Sequence, residues 1–451
     1  MAHGGDIVND GTFGYARAAD GAYIGYRIDG GGPIDIVQQP EWPGGIDLEW
    51  EDPWSGAWMA KLGAIGRLIT HDHRGVGVSS RDKGLPTIET RVSDLLGVLD
   101  AADVERPVMV GFLSTGAVNA MAAALRPELA RAIVWLEPVA RHAWAPDFPW
   151  GNRWENLDEE LAHLSSWGTV DYGRWFVEQE AASGNVMPES MVTSFARQSR
   201  NACTPDVAAE LARIWYETDV RGILPSVQTP TLLMVHEGRA ASVEQARYIA
   251  ELIPAAELHV MPGEAWSLEE QPAWIAQIRR FLGEDLPVAS SDSVLATVVF
   301  TDIVDSTTKQ AALGDLGWKE LVMAHHAVVR DALDRWDGIE HDTAGDGFFA
   351  SFDGPARAIR CVRELTDRIA DLGLEIRAGV HTGECELIDG KLGGLAVSIA
   401  ARVTSKAQAS HVLVSQTVRD LVAGSGLRFE DAGEHELKGV PDRWRLYTVV
   451  D

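Results

Sequence analysis

Val298 to Thr307 reads Val-Val-Phe-Thr-Asp-Ile-Val-Asp-Ser-Thr, and Thr343 to Phe348 reads Thr-Ala-Gly-Asp-Gly-Phe. Each segment joins an apolar, β-type run to a carboxylate beside a tight turn, Asp302 in the first and Asp346 in the second. Two carboxylates so disposed are the ligands that hold a pair of hard cations against a triphosphate. Taken singly, Asp302 caps a helix that starts near Ser306, and Asp346 sits in an Asp-Gly hairpin turn. Three further segments follow in order: Ile-Arg-Ala-Gly-Val-His-Thr-Gly at Ile376 to Gly383, Val-Ser-Ile-Ala-Ala-Arg at Val397 to Arg402, and Glu-Leu-Lys-Gly-Val at Glu436 to Val440. Chance rarely supplies such an ordered set.

From about Leu295 to Asp451, these motifs resemble the catalytic domain of class III nucleotide cyclases, adenylate and guanylate cyclases included, in order and spacing. The elements expected are a strand from Thr297, a long helix, a hairpin around Gly345-Asp346-Gly347, a helix from Ala356, a strand Glu375 to Val380 and a helix Val397 to Ser405. This is close to a ferredoxin-like α+β plan with C-terminal additions. The resemblance implies a homodimer through this domain, with each site lying across the subunit interface and taking a nucleoside triphosphate. It implies that Asp302, the carbonyl of Ile303 and Asp346 bind two Mg²⁺ or Mn²⁺ ions per active site, while the loop Val304 to Ser306 cradles phosphate at a helix N-terminus. Arg377 of the same subunit and Lys438 of the second would hold terminal phosphates. Arg402 of the second would neutralise charge developing at the α-phosphorus. The plain alternative for the three cations is a surface salt bridge, which their common register disfavours.

The departures from the family pattern bear on the base. Adenylate-selective relatives have a lysine before Thr-x-Gly-Asp and an aspartate seven residues ahead of the ribose-orienting Asn; here these positions hold Asp342 and Lys391, and the Asn is Ser398. Asp305 stands where a glycine is common. An inverted pair matches a ring N–H beside a carbonyl oxygen, as in guanine or uracil, so ATP is disfavoured if the pair touches the base. Alternatively, Asp342 and Lys391 pair with each other and read nothing.

The 451 residues suggest two or three domains. Composition shifts at 284–294, which reads as a linker between a domain at 1–283 and the cyclase-like domain at 295–451. A formal charge of −28 argues against a nucleic-acid or anionic-membrane surface. No apolar run reaches membrane-spanning length, and the first residues lack a leader pattern, so a cytoplasmic protein is expected. Cys203, Cys361 and Cys385 are widely spaced and read as reduced thiols.

In the first domain, apolar runs at Ile34 to Val37, Arg67 to Thr70, Pro107 to Val110, Ala132 to Trp135 and Thr231 to Val235 alternate with helical stretches. The interval of about 142–221 lacks such runs and reads as a helical cap. With His-Asp-His-Arg-Gly-Val-Gly-Val-Ser at His71 to Ser79, the region resembles the α/β-hydrolase fold. That resemblance implies a nucleophile elbow near Gly111, but with Gly111 in register the nucleophile position falls on Leu113, and Ser114 is one residue late. The acid and histidine positions also fail, at His236 to Ala241 and at Pro262 to Trp266. A serine without a general base is a weak nucleophile, although a shifted elbow using Ser114 with Glu237 or His236 stays open. Thirteen of sixteen tryptophans precede the linker; they either pack the core and lid or line a pocket for an apolar ligand.

Three functions follow: an active cyclase with altered base preference and a catalytically silent sensor domain, a pseudo-cyclase acting as a regulatory dimer, and an esterase using Ser114.

Overall fold

The structure, a computed structural model, describes residues 11–39, 44–82, 84, 86–182, 187–263, 268–283, 293–388 and 391–450. Most of the expected linker and the stretch 264–267 lie outside the described residues. Internal packing divides the chain into two units, the first made chiefly of residues before Ser290 and the second chiefly of Ser290–Asp451.

The first unit is built on eight strands: β1 (Thr12–Arg17), β2 (Tyr23–Asp29), β3 (Asp35–Gln39), β4 (Arg67–His71), β5 (Val108–Phe112), β6 (Ala132–Leu136), β7 (Thr231–His236) and β8 (Ala256–Met261). Their order is β1-β2-β4-β3-β5-β6-β7-β8. From β4 through β8 all pairs are parallel, and β5, β6 and β7 are buried along their whole length. Helices on both faces make such strands read as unbroken apolar runs. The antiparallel β1–β2 hairpin was not among the expected strands, because its exposed outer strand alternates aromatics with glycine and lacks an apolar run.

Within the expected cap interval, the described residues form the α-helices Trp154–His163, Val170–Ala182, Ser190–Ala202 and Pro205–Glu217. They enclose a small core of Leu164, Trp167, Tyr172, Phe195 and Leu211. Trp167 donates to the Cys203 carbonyl at 2.9 Å and Trp175 stacks on His163, so these two rings pack the cap itself.

The second unit contains β9 (Ser293–Ile303), β10 (Ile339–Ala344), β11 (Gly347–Phe352), β12 (Ile376–Ile388), β13 (Lys391–Gly393), β14 (Val412–Ser415), β15 (Arg428–Glu436) and β16 (Arg443–Val450). The sheet runs β10-β11-β9-β12-β14-β16-β15, with β13 hairpinned onto β12. Helix Pro355–Ala370 buries Ala358, Ile359, Val362, Leu365 and Ile369 at helical spacing against Val299, Phe348 and Ile376. Two expectations need correction. The long helix Ser306–Arg335 is broken at Gly314, whose φ of 71° is non-helical, and the strand expected to end at Val380 runs on to Ile388. No helix among the described residues is long and apolar enough to cross a membrane.

Candidate active site

Asp302 is the penultimate residue of β9 and lies directly across the ladder from Arg377 of β12. Arg377 donates to one Asp302 oxygen through Nε at 3.0 Å and Nη2 at 2.5 Å. Both side chains are about one third exposed, 36% for Asp302 and 37% for Arg377.

The neighbouring ladder brings the second carboxylate to the same end of the sheet. Thr301 pairs with Phe348, and the β10–β11 hairpin closes at Ala344 and Gly347, leaving Gly345 and Asp346 as a two-residue loop. Gly345 has a φ of 67°, the left-handed conformation that such loops demand and glycine supplies. His326 donates from Nε2 to the Gly345 carbonyl at 3.1 Å and packs edge-on against Phe348. One Asp346 oxygen, Oδ2, is buried without a hydrogen-bond partner. An orphaned buried carboxylate oxygen is costly unless a cation or donor meets it. The oxygen-only donor set of Asp302, Ile303 and Asp346 therefore suits a hard divalent cation.

Between these groups, Asp305 takes a left-handed φ of 55° and its carbonyl receives the Lys309 N–H at 3.0 Å, so Ser306 begins the helix. Val304 is tied back to Glu375 by its N–H.

A second group of residues gathers around helix Leu395–Lys406. Arg402 donates from Nε to the Lys438 carbonyl at 3.1 Å, and Ser398 lies one turn earlier, donating to Gly394 at 3.4 Å. Arg402, Lys406, Lys438 and Arg443 share an open cleft with Glu436 and Asp442. Among the described residues, no ion pair or hydrogen bond joins this cleft to Asp302, Asp346 or Arg377.

Asp342 and Lys391 are not brought together. Asp342 pairs with Phe349, which pairs with Phe300 of β9. Lys391 pairs with Ile388, two residues past the Glu386–Ser293 rung. Asp342 thus lies on β10 and Lys391 on β13, on either side of β9 and β12. Among the described residues, no ion pair joins them. Asp342 instead accepts the Thr343 N–H at 2.9 Å.

In the first unit, the positive φ of the elbow falls on Leu113, at 43°. A Cβ on Gly111 would come within 2.5 Å of the Gly116 nitrogen, and one on Gly116 within 2.1 Å of the Trp135 ring, so the turn needs both glycines. Trp135 Nε1 donates to the Leu113 carbonyl at 2.6 Å. The elbow is formed, with a leucine at its apex and Ser114 one residue on. The His71 to Ser79 motif holds its own loop: Asp72 accepts the Ile46 and Val78 N–H groups at 2.9 Å, and burial pushes its carboxyl up to about 7.

A contact that the sequence did not disclose lies beside the elbow. Glu137, just past β6 with a φ of 46°, accepts the His236 backbone N–H at 2.9 Å and meets His236 Nδ1 at 2.7 Å. His236 Nε2 faces Glu270 at 3.3 Å. An acid following the sixth strand was the available signal; nothing local linked it to a histidine 99 residues away.

The family model described as adenylate and guanylate cyclase catalytic domain matches residues 288–451, and that described as alpha/beta hydrolase fold matches residues 42–272. The receptor-type adenylate cyclase GRESAG 4.3 of Trypanosoma brucei brucei is 26% identical over 34% of this chain and 16% of its own length. A probable esterase of Oryza sativa subsp. japonica is 28% identical over 36% of this chain and 60% of its own. The chain thus spans less than two thirds of either relative. A solved esterase from Exiguobacterium antarcticum, 19% identical, superposes over 60% of this chain and all of its own with a TM-score of 0.53, a likeness of fold alone.

Proposed function

We propose a function for a chain that belongs to the alpha/beta hydrolase fold family through residues 42–272 and carries an adenylate and guanylate cyclase catalytic domain at residues 288–451: it is a class III nucleotide cyclase. It converts a nucleoside triphosphate to the 3′,5′-cyclic monophosphate and pyrophosphate at a homodimer interface, and its hydrolase-fold unit is a sensor. The observation that carries this reading is the convergence of Asp302 with Asp346, whose Oδ2 is buried without a partner.

In this reading, two Mg²⁺ or Mn²⁺ ions held by Asp302, Asp346 and the Ile303 carbonyl supply Lewis acidity toward the ribose 3′-hydroxyl and the leaving pyrophosphate when bound. Arg377 turns from Asp302 to the terminal phosphates. Ser306, at the start of its helix, donates to phosphate oxygens. Arg402 and Lys438 adjoin each other in their own cleft, apart from the carboxylates. Two half-sites on one chain support a composite site completed by the second subunit, where Arg402 meets the α-phosphoryl group and Ser398 the ribose. Asp342 and Lys391, which form no ion pair with each other among the described residues, are left to face the base, favouring GTP or UTP over ATP.

The test is product formation from ATP, GTP, UTP and CTP with Mn²⁺ and with Mg²⁺, for wild type beside Asp302→Ala. Metal-dependent cyclic GMP or UMP in excess of cyclic AMP supports the full reading. Cyclic AMP as main product removes the base assignment alone.

A second reading, a pseudo-cyclase acting as a regulatory dimer, is favoured by the Arg377–Asp302 pair, which occupies a metal carboxylate. No product from any nucleotide would select it. An esterase using Ser114 has less support, since Leu113 occupies the apex and His236 lies between two carboxylates. Covalent labelling by a fluorophosphonate, lost in Ser114→Ala, would restore it.

A further inference from the structure

We infer that His326 and Arg330 set the divalent-cation affinity of the cyclase unit by clamping the β10–β11 hairpin, and with it Asp346, against helix Ser306–Arg335. Both are positioning residues, since they act through Asp346. This deepens the cyclase reading above and rests on it for one point, that Asp346 is a metal ligand.

Past the break at Gly314, the helix carries His326 and Arg330 one turn apart, an i, i+4 pair on one face. They hold the hairpin at its turn and at its stem. At the turn, His326 Nε2 donates to the Gly345 carbonyl at 3.1 Å. At the stem, Arg330 donates from Nε and Nη2 to the two Glu340 oxygens at 2.8 and 2.9 Å, and Thr343 Oγ1 donates to Glu340 Oε1 at 2.5 Å. Phe348 lies beneath both, buried, with the His326 ring edge-on at 5.0 Å and the Arg330 guanidinium carbon 5.8 Å from its centre. The stem grip falls where the β10–β11 register shifts, between Glu340 and Asp342. Such an irregular rung is where a ladder yields most readily.

A two-residue hairpin loop closes its own ladder, and its outer carbonyl is ordinarily left to water. Here an imidazole takes that carbonyl, on the residue next to Asp346. Asp346 gives the clamp its consequence, because its Oδ2 is buried without a hydrogen-bond partner. Before a cation arrives, that oxygen is stabilised by turning out to water. A hairpin held from outside keeps it turned inward. The cation then meets a formed carboxylate site and does not have to order one, which raises affinity. A role in packing alone would change the stability of the sheet and leave cation binding where it was.

The probe is Mn²⁺ alone, titrated into the full chain without nucleotide and followed by calorimetry and by the paramagnetic resonance of the free ion. The sites counted are those lost in Asp346→Ala, which separates them from other acidic groups on the surface. His326→Ala should weaken Mn²⁺ at these sites by about tenfold, and Arg330→Gln by about threefold or more. His326→Gln, whose amide N–H stands in for Nε2–H, should return the affinity to within about threefold of wild type. In the metal-free chain, amide hydrogen exchange across Gly345 to Phe348 should quicken by about tenfold in His326→Ala. Wild-type Mn²⁺ affinity in a folded His326→Ala overturns the inference. A His326→Gln no better than His326→Ala overturns it as well, tracing the loss to packing on Phe348. If circular dichroism shows His326→Ala unfolded, Arg330→Gln carries the test, and unchanged affinity there overturns the inference equally. Should wild type hold no Mn²⁺ that Asp346→Ala loses, the metal reading itself fails and the inference falls with it; with that binding present, failure in the variants removes the clamp alone.

Discussion

Arg377 and Asp302 face each other across β12 and β9, and the guanidinium places both Nε and Nη2 on a single Asp302 oxygen. A cation suited to phosphate and a carboxylate suited to metal are thus each other's partner. Metal entry must compete with that pair, so the two substitutions have different signatures. On the proposed two-metal reading, Asp302→Ala should abolish metal-dependent turnover, a loss of about a hundredfold or more. Arg377→Ala should raise KM for the nucleotide yet lower the Mn²⁺ concentration giving half-maximal rate by about threefold to tenfold, because Asp302 is released. Mn²⁺ titrations at saturating nucleotide check this, with calorimetric Mn²⁺ binding in its absence. A higher Mn²⁺ requirement in Arg377→Ala would mean that the pair supports the metal site.

Asp342 and Lys391 lie on opposite arms of the sheet, on β10 and β13. If they read the base from the two subunits, exchanging them restores the adenine pattern of a cation at N1 and an acceptor at N6. The double substitution Asp342→Lys with Lys391→Asp should shift the ratio of kcat/KM for ATP over GTP upward by about tenfold or more, while each single change lowers both. Chromatographic product ratios at fixed Mn²⁺ decide it. An unchanged ratio would remove these residues from base recognition.

The carboxylate half of the site was legible because each aspartate ends its own apolar run beside a turn, a signal carried within about ten residues. Likewise, Gly111 fixed the elbow register well enough to put Leu113 at the apex, where the positive φ lies. What sequence could not disclose depends on tertiary encounters. His326 supports the Gly345 carbonyl from a helix 19 residues earlier, and Glu137 meets His236 across two strands. Neither pair has a spacing rule. That Asp342 sits on β10 and Lys391 on β13 is a property of sheet order, invisible until the strands are arranged. Gly314 sat inside a helical pattern that would tolerate it, and only the backbone shows the break.

Because Arg402 and Lys438 form one cluster and Asp302, Arg377 and Asp346 another, a composite site predicts complementation. Asp302→Ala and Arg402→Ala should each be inactive alone. Mixed and allowed to exchange subunits, they should recover roughly a quarter of wild-type activity, since half the dimers are mixed and each of those holds one intact site. Activity at the sum of the two separate mutants would place all the groups on one chain.

Stability of the cyclase unit should depend on pH through His381. The ring is buried, with Nδ1 2.7 Å from Ser415 Oγ and Trp444 edge-on at 5.5 Å, and burial lowers its pKa from the ordinary 6.5 to about 4. The folded value is the lower one, so between pH 6.5 and 4 the unfolded chain binds the proton more readily. The stability contributed by the neutral ring is complete above pH 6.5 and is lost as the pH falls through that window, levelling below 4. His325, lowered to about 4 by burial and by His326, acts with the same sign. Between pH 7 and 4.5, the His381 share is about 2 kcal/mol. Urea unfolding of wild type and His381→Gln, followed by circular dichroism at both pH values, isolates it. The amide can keep a hydrogen bond to Ser415 but cannot titrate, so the variant's transition should lose about 2 kcal/mol less than the corresponding wild-type transition on acidification. Equal losses would show that His381 takes up its proton without cost in the folded chain.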